Sequence, residues 1–432
     1  MNNRLTALIA ASAFATILPA QSTFQVGSGT EIAVSGLLAV GVKSSTITNV
    51  TLPGRVAHEE LRVDDNTSRL TVSGSTLITE GYKVIFRVES RFTSDVRPGA
   101  TGYPGALNVF NITGWADGDT WGGVSTPIGS IIAGKTAFYY LDTFDASYLG
   151  IPGPGEGYRA WDGQGLAFFN LLSQVSTTTS LKATLGITRS SNVIRFDSVA
   201  FMGFDFNVLY TKNPSGDELK NGAAGVTAAS YESGGTWGGR VRYNNGGFTA
   251  LISLLDQQPQ GSAYGATHGQ RAGVGYMFKQ GPLAGLKFGV EYDKTSIDCP
   301  SAAGYPASPF GIAPLGTQAA SRTVYSVPVQ YQWGKHGVYA TYTKAGNTTS
   351  IDDTGATQTN FGYDYALTKR AFLGLYYTNL KNDAKGIYAP FLSGSALGGS
   401  APNYGNALGP AGAPVTTGEG YRQIALCLNY WF

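Results

Sequence analysis

The residues from Gly129 to Thr136, GSIIAGKT, match the phosphate-loop pattern G-x-x-x-x-G-K-T letter for letter. Such a loop binds nucleotide phosphates only where it opens a helix, because the N–H groups of the first helical turn face the phosphates. The residues that follow, 138–155, lack the apolar period of a helix and contain Pro152 and Pro154. The surroundings of the motif therefore argue against nucleotide binding.

Other patterns that could support catalysis are sparse. No G-x-S-x-G pattern occurs, and AHEEL at 57–61 lacks the second histidine of a zinc-protease helix. His58, His268 and His336 are far apart in the chain, which argues against a histidine metal site. We expect no catalysis, no cofactor and no metal; the remaining catalytic candidates are His58 with the neighbouring pair Asp64 and Asp65.

Charged residues instead follow one face of alternating segments. In YKVIFRVESRF (82–92), the apolar residues at 82, 84, 86 and 88 share one parity, and the charged residues at 83, 87, 89 and 91 share the other. LKFGVEYDK (286–294) alternates in the same way. Successive side chains of a strand point to opposite faces, so this pattern is typical of a barrel wall between lipid outside and water inside.

The last strand, YRQIALCLNYWF (421–432), supports a membrane location. Its apolar residues at 424, 426, 428, 430 and 432 share one parity, and the chain ends on an aromatic residue, Phe432. A soluble sheet could cover the same face with its own core. A terminal aromatic without a polar tail is better explained by an apolar solvent or a partner.

The first twenty residues resemble a cleavable secretory signal. A single cation, Arg4, precedes the apolar run 5–20, which is too short to span a bilayer and ends in small residues. We expect cleavage after Ala20. Residues 21–432 then form one domain, because no linker or charge run divides them.

Composition is consistent with a β-rich barrel. The chain has 59 Gly, 25 Tyr and 21 Phe but only 13% charged residues, which suits glycine turns and aromatic belts. A net charge of +2 does not suggest nucleic acid binding. Two cysteines, Cys299 and Cys427, are too few for a disulfide framework, and two thiols are favoured over one bridge.

Sixteen strands can be placed along the chain, with short and long connections in alternation. We predict a first strand at 32–43, then a long loop, and further strands at 67–78, 82–92, one ending near 124, 130–135, 191–199, 204–213, 235–244, 248–257, 269–278, 286–296, 322–333, 336–344, 359–367, 370–380 and 421–432. The connection of about fifty residues before 189 is too long for an ordinary hairpin and is expected to be functional.

Three stretches resemble the trimeric general porins of Gram-negative bacteria, particularly the beta-proteobacterial type: 68–92, 127–135 and 189–210. The resemblance implies an all-β, sixteen-stranded antiparallel transmembrane barrel, assembled as a homotrimer in the bacterial outer membrane. It also implies that the third long loop, about 136–188, folds inward and narrows the pore. The C-terminal strand ending at Phe432 is expected to engage the barrel assembly machinery.

The same resemblance implies a pore constriction. Arg69 in the SRL motif and Arg189 fall on constriction arginines, while an arginine expected before the fourth strand is replaced by Asp117 and Asp119. Opposed fixed charges across a narrow watery passage select ions by sign and size. Further wall cations at the constriction would be Lys83 and Arg87, and the loop opposite would supply Asp142, Asp145, Glu156 and Asp162. By parity Arg195, Arg240 and Arg242 could extend a basic wall, although any single one of these charges could simply solvate the lumen.

These features predict a passive channel for ions and small hydrophilic solutes, with a weak preference for anions. Two other classes stay open at this level. An outer-membrane barrel protease or lipase, with a site at the extracellular rim, would have fewer strands and no long inward loop. A secreted soluble β-sandwich array would be extracted without detergent.

Overall fold

The computed structural model describes residues 22–27, 29–51, 53–54, 57, 59–65, 68–91, 116, 118–136, 190–212, 235–258, 265–299, 319–349, 351–386, 388 and 417–432. Within these ranges all regular structure is β-strand. No helix in the described ranges is long and apolar enough to cross a membrane. The predicted signal segment 1–20 lies outside the described residues, and so does almost all of the predicted inward loop 136–188, of which Thr136 alone is described.

The described chain forms eighteen strand segments in one sheet. In chain order they are β1 (Ser22–Val26), β2 (Thr30–Thr48), β3 (Glu60–Asp65), β4 (Arg69–Thr79), β5 (Tyr82–Arg91), β6 (Thr120–Thr126), β7 (Gly129–Thr136), β8 (Ser190–Ser198), β9 (Phe204–Thr211), β10 (Thr236–Asn245), β11 (Phe248–Gln257), β12 (Thr267–Met277), β13 (Leu286–Ile297), β14 (Ala320–Trp333), β15 (His336–Ala345), β16 (Ala356–Ala366), β17 (Ala371–Asn382) and β18 (Gly420–Trp431).

The sheet closes on itself. Each strand from β4 to β18 is antiparallel to the next, and β18 pairs with β2 from Gly420↔Thr48 to Trp431↔Leu37. Among the described strands, closure leaves no long edge unpaired, which is the condition for strands to cross a bilayer. With β3 and β4 occupying one position in the ring, the barrel has sixteen strands, as the alternating pattern predicted.

The second strand of the ring is interrupted. β4 pairs with residues 30–37 of β2, whereas β3 pairs with residues 40–45 in a register shifted by one residue. At the break, the Ser68 hydroxyl makes two hydrogen bonds to the Ala39 backbone. Its Oγ accepts from Ala39 N–H at 3.0 Å and donates to the Ala39 carbonyl oxygen at 3.3 Å. A side chain thus replaces the missing ladder bonds at this β-bulge.

The sequence-based limits of the first two strands were wrong. The first barrel strand continues to Thr48 instead of Lys43, and β3 lies in the region predicted as loop. β1 was not predicted; it forms a hairpin with the start of β2. β3 has only Leu61 and Val63 as apolar residues, which is too short an alternation to distinguish a strand from a polar loop.

The two faces of β13 differ as the alternation predicted. On β13, Phe288 and Val290 are exposed on the outer face, while Lys287, Glu291 and Asp293 are buried on the inner face. An apolar outer face toward lipid and a charged inner face toward water is the arrangement that a membrane barrel requires.

Short and long connections occupy opposite ends of the barrel. Two-residue turns such as Glu80–Gly81 and Gly246–Gly247 join the strands at one end, and both Gly246 and Gly247 have positive φ. Several aromatic residues lie at strand ends, where the aromatic belts of a membrane barrel are expected. Tyr331 stacks on Trp333 with ring centroids 5.3 Å apart near the short turns, and Trp237 is the second residue of β10 at the other end.

Candidate functional site

Two arginines and one glutamate form a compact charged group on the inner wall of β4 and β5. Glu89 Oε2 lies 3.0 Å from Arg87 Nη2 and 3.7 Å from Arg69 Nη1. The Glu89 side chain is fully buried, and the Arg69 side chain is 7% exposed, whereas the Arg87 side chain is 35% exposed. A buried carboxylate is stable only when it is paired, so Glu89 fixes the two guanidinium groups and leaves the group with a net positive charge.

Strand geometry explains how these side chains meet. Arg69 pairs with residue 91 and Thr71 pairs with Glu89 across the β4–β5 ladder, so Arg69 and Arg87 stand on the same face as Glu89, each two positions from it. Cross-strand and diagonal neighbours on one face are close enough for long side chains to touch.

Neighbouring elements hold the group in place. The Arg69 guanidinium carbon lies 5.6 Å from the centroid of the Trp431 ring, a cation–π contact with the closing strand. On the other side, a Cβ atom added at Gly118 would collide with the Glu89 carboxylate. A larger residue at 118 would therefore displace Glu89, and a glycine is required at this close approach.

A second group of this kind lies on β9 and β10. Asp205 accepts from Arg240 Nη2 at 2.9 Å through Oδ1 and from Arg242 Nε at 2.7 Å through Oδ2. On β8, Arg195 donates to Asp197 Oδ2 and to Thr136 Oγ1, both at 2.9 Å. Three of the arginines assigned to the lumen by parity are therefore on the inner wall, each held by a carboxylate.

The inner wall of β15 to β18 is different. In the described part of these four strands, Asp364 is the single charged residue that faces inward, and it accepts a hydrogen bond from Tyr376 Oη. The remaining inward residues are neutral and polar or aromatic, among them Gln358, Asn360 and Gln423. The fixed charge is thus distributed unevenly around the lumen.

The predicted constriction residues fall into two groups. Arg69 and Arg87 meet at Glu89, whereas Lys83 is exposed close to the Glu80–Gly81 turn, about 13 Å along β5 from Arg87. The others lie outside the described residues: Arg189, Asp142, Asp145, Glu156 and Asp162, together with Asp117. Asp119, predicted to replace a wall arginine, lies beside the group, and its carbonyl accepts from Glu89 N–H at 2.9 Å.

Sequence reasoning overlooked two residues of these groups. Glu89 was placed on the inner face by its parity, but the R-x-E spacing that brings it beside Arg87 was not used. Asp205 could not be linked to Arg240 and Arg242, because β9 and β10 are joined by more than twenty residues and the register cannot be read from the turn.

The residues considered for catalysis do not assemble a site in the described chain. Gly129–Thr136, the phosphate-loop match, forms strand β7 between β6 and β8 and opens no helix. His58 lies outside the described residues. Among the residues with described positions, no group of three His, Cys, Asp or Glu side chains could hold a metal ion. Cys299 and Cys427 are both free cysteines.

Comparison with known proteins gives a family and a fold. The family model described as Gram-negative porin matches residues 5–385. An anion-selective porin from Comamonas acidovorans is 18% identical, with a TM-score of 0.62 and coverage of 93% of this chain and all of that one. The trimer form of OmpT from Vibrio cholerae is 12% identical, with a TM-score of 0.56 and coverage of 94% of this chain and all of that one.

OmpF from Salmonella typhi, solved with daunomycin, is 11% identical, with a TM-score of 0.52, and covers 95% of this chain and all of that one. A search of curated proteins found no significant match. At these identities the solved structures show a shared fold, and the family model adds membership over most of the chain. With its closed ring of sixteen strands and its charged inner wall, the chain belongs to the Gram-negative porins, the passive channels of the bacterial outer membrane.

Proposed function

We propose that this porin lets ions and small hydrophilic solutes diffuse with a mild preference for anions. The observation that carries the proposal is the group on β4 and β5, in which Arg69 and Arg87 both pair with Glu89. One positive charge is left on the wall. In a narrow watery passage, a local excess of fixed charge raises the concentration of the opposite ion.

The charges on the inner wall of β8 to β14 also favour anions. In the described parts of these strands the inward charges are six cations and four carboxylates: Arg195, Arg240, Arg242, Arg271, Lys287 and Arg322, against Asp197, Asp205, Glu291 and Asp293. Because the net charge of the whole chain is only +2, this local distribution decides the selectivity. The related porin from Comamonas acidovorans is named as anion-selective.

The constriction itself is part of the proposal. We infer that the segment 136–188 enters the lumen and brings Asp142, Asp145, Glu156 and Asp162 opposite Arg69, Arg87 and Arg189. These acids would weaken the anion preference and create a field across the passage. Lys83 lies at the end of the barrel with the short turns, so it would attract anions to that entrance of the pore and not to its narrowest part.

Assembly is proposed along the same lines. Residues 1–20 would be removed as a signal, and 21–432 would insert as the barrel, recognised by the assembly machinery through the strand that ends at Phe432. Three copies would associate in the outer-membrane lipid, an arrangement consistent with the trimer form of OmpT. The proposed role is transport alone, with no catalytic step and no cofactor.

The test is the reversal potential of wild-type channels in a planar bilayer, with KCl at about 0.1 M on one side and 1 M on the other. We expect stepwise currents that need no energy source. The sign of the reversal potential should show that chloride passes through the channel faster than potassium. A reversal potential on the potassium side would contradict the anion preference. Purified trimers that give no current would contradict the channel itself.

A further inference from the structure

A row of four inward-facing residues crosses strands β9 to β12 next to the Asp205 group. Asn207 pairs with Arg240, Arg240 pairs with Ser253, and Ser253 pairs with Arg271. All four side chains are at least nine-tenths buried on the inner wall. Cross-strand neighbours of this kind have Cβ atoms about 5 Å apart, so the row forms one continuous polar strip.

The two arginines of the strip are suited to an anion with more than one oxygen. Arg240 and Arg271 stand two strands apart, which places their Cα atoms about 10 Å from each other. A guanidinium group presents a planar fork that binds a carboxylate or a phosphate through two hydrogen bonds. Asp205 holds Arg240 from the side, at 2.9 Å from Nη2, and so preorganises its fork.

Neutral polar groups that make no protein hydrogen bond stand on both sides of Arg240: Ser253 lies between the two arginines, and Asn207 lies on the far side of Arg240. In the part of the chain that the structure describes, Asn207 Oδ1 and Nδ2 and Ser253 Oγ are buried without a hydrogen-bond partner. Buried polar atoms are normally paired, and an unpaired one costs about 1–3 kcal/mol. The Ser253 hydroxyl can donate to an oxygen placed between the arginines, and the Asn207 amide can donate to an oxygen of the same anion that reaches past Arg240.

The strip is separate from the Arg69 group. Counted around the ring of sixteen, β12 stands eight positions from the strand formed by β3 and β4. Strands eight positions apart face each other across the lumen. Arg271 therefore stands on the wall opposite Arg69, and a solute drawn in by one group meets the other.

We propose that Asn207, Arg240, Ser253 and Arg271 form an oxyanion-binding subsite for permeating solutes that carry carboxylate or phosphate groups. The subsite rests on the proposed channel function and adds a binding step to it. A solute with such a group pauses at the strip and hinders the passage of chloride, whereas a neutral solute of the same size does not.

The experiment measures the chloride current through single trimers while succinate, inorganic phosphate or the neutral diamide succinamide is added. For the wild type we expect a block by succinate or phosphate that saturates, and no block by succinamide. A block by succinate alone identifies carboxylates as the ligand class, and a block by phosphate alone identifies phosphates. A current that falls linearly with added anion, or falls equally with succinamide, would overturn the subsite.

Two variants test the residues, each with a matched control. Asn207→Ala removes the unpaired amide without changing charge, and Arg271→Lys keeps the charge but removes the fork. Each should raise the half-blocking concentration by about fivefold, the size expected for one hydrogen bond. The controls Asn360→Ala and Arg322→Lys make the same changes on inward residues outside the strip. They should change the half-blocking concentration by less than about twofold.

Equal shifts in the variants and their controls would overturn the assignment to this strip. Heat-modifiable migration of each variant in gel electrophoresis verifies that the barrel has folded. The two variants alter different strands, so if one of them fails to fold, the other still tests the subsite. If wild-type channels conduct with the expected reversal potential but show no saturating block, the subsite fails and the anion preference stands. If they do not conduct, the channel function fails.

Discussion

At the scale of single residues, the sign of the wall charge depends on one carboxylate. Glu89 lies between Arg69 and Arg87 and offsets one of the two positive charges. The arginines alone would suggest a strongly basic wall. The observed pairing explains why a mild preference is expected instead.

Replacing Glu89 by Gln should strengthen the anion preference. The amide keeps the shape of the side chain but removes its negative charge, so both guanidinium groups act on the passage. The reversal potential in a KCl gradient should move further to the chloride side. Glu80→Gln, which removes a carboxylate at an exposed turn, is the matched control and should leave the reversal potential unchanged. An unchanged reversal potential in the Glu89 variant would mean that this group does not face the ion path.

The sequence predicts some of these residues better than others. The faces of Arg69, Arg87 and Glu89 follow from strand alternation, since a period of two needs no knowledge of the neighbouring strands. The partnership of Asp205 with two arginines needs the β9–β10 register, which a long connection does not determine. The unpaired amide of Asn207 is likewise visible only once its neighbours are placed.

At the scale of strands, the alternation on β13 was confirmed and the interruption between β3 and β4 was missed. β13 has four apolar residues on one face within a single uninterrupted run, which gives a clear signal. The β-bulge at Ser68 shifts the register by one residue. Such a shift exchanges odd and even positions between the inner and outer faces for all residues beyond it in the strand. ELRVDD (60–65) could therefore not be joined by parity to the strand that follows, and its two apolar residues are too few to predict a strand alone.

Strand orientation makes a prediction about stability. Val290→Lys places a charge on the exposed outer face near the middle of β13. At the bilayer midplane this charge should lower the free energy of unfolding by about 2–4 kcal/mol. Lys287→Gln, on the inner face of the same strand, should cost less. The measurement is a denaturant titration of refolding into lipid vesicles. Equal losses for the two variants would show that the outer face had been assigned to the wrong parity.

At the scale of the whole molecule, the barrel combines a charged wall on β4, β5 and β8 to β14 with a nearly neutral wall on β15 to β18. The closing strand links structure to selectivity, because Trp431 completes the ring beside Leu37 and also contacts Arg69. Sixteen strands could be predicted from alternation and turns. The distribution of charge around the ring could not, because it depends on strand registers and on loop residues outside the described structure.

The central claim is that fixed charges on the inner wall near Arg69 set the ion preference of a passive channel. The most direct measurement is the reversal potential of the double variant Arg69→Gln with Arg87→Gln, compared with wild type at low and high salt. The control is Lys294→Gln with Lys344→Gln, which removes the same charge from exposed outward positions on β13 and β15.

The inner-wall variant should shift the reversal potential toward potassium. The shift should shrink as the salt concentration rises, because the Debye length falls from about 10 Å at 0.1 M to about 3 Å at 1 M. The outward control should behave like the wild type at both concentrations. An unchanged reversal potential in the inner-wall variant at low salt, with normal conductance, would contradict the claim that these arginines act on the ion path.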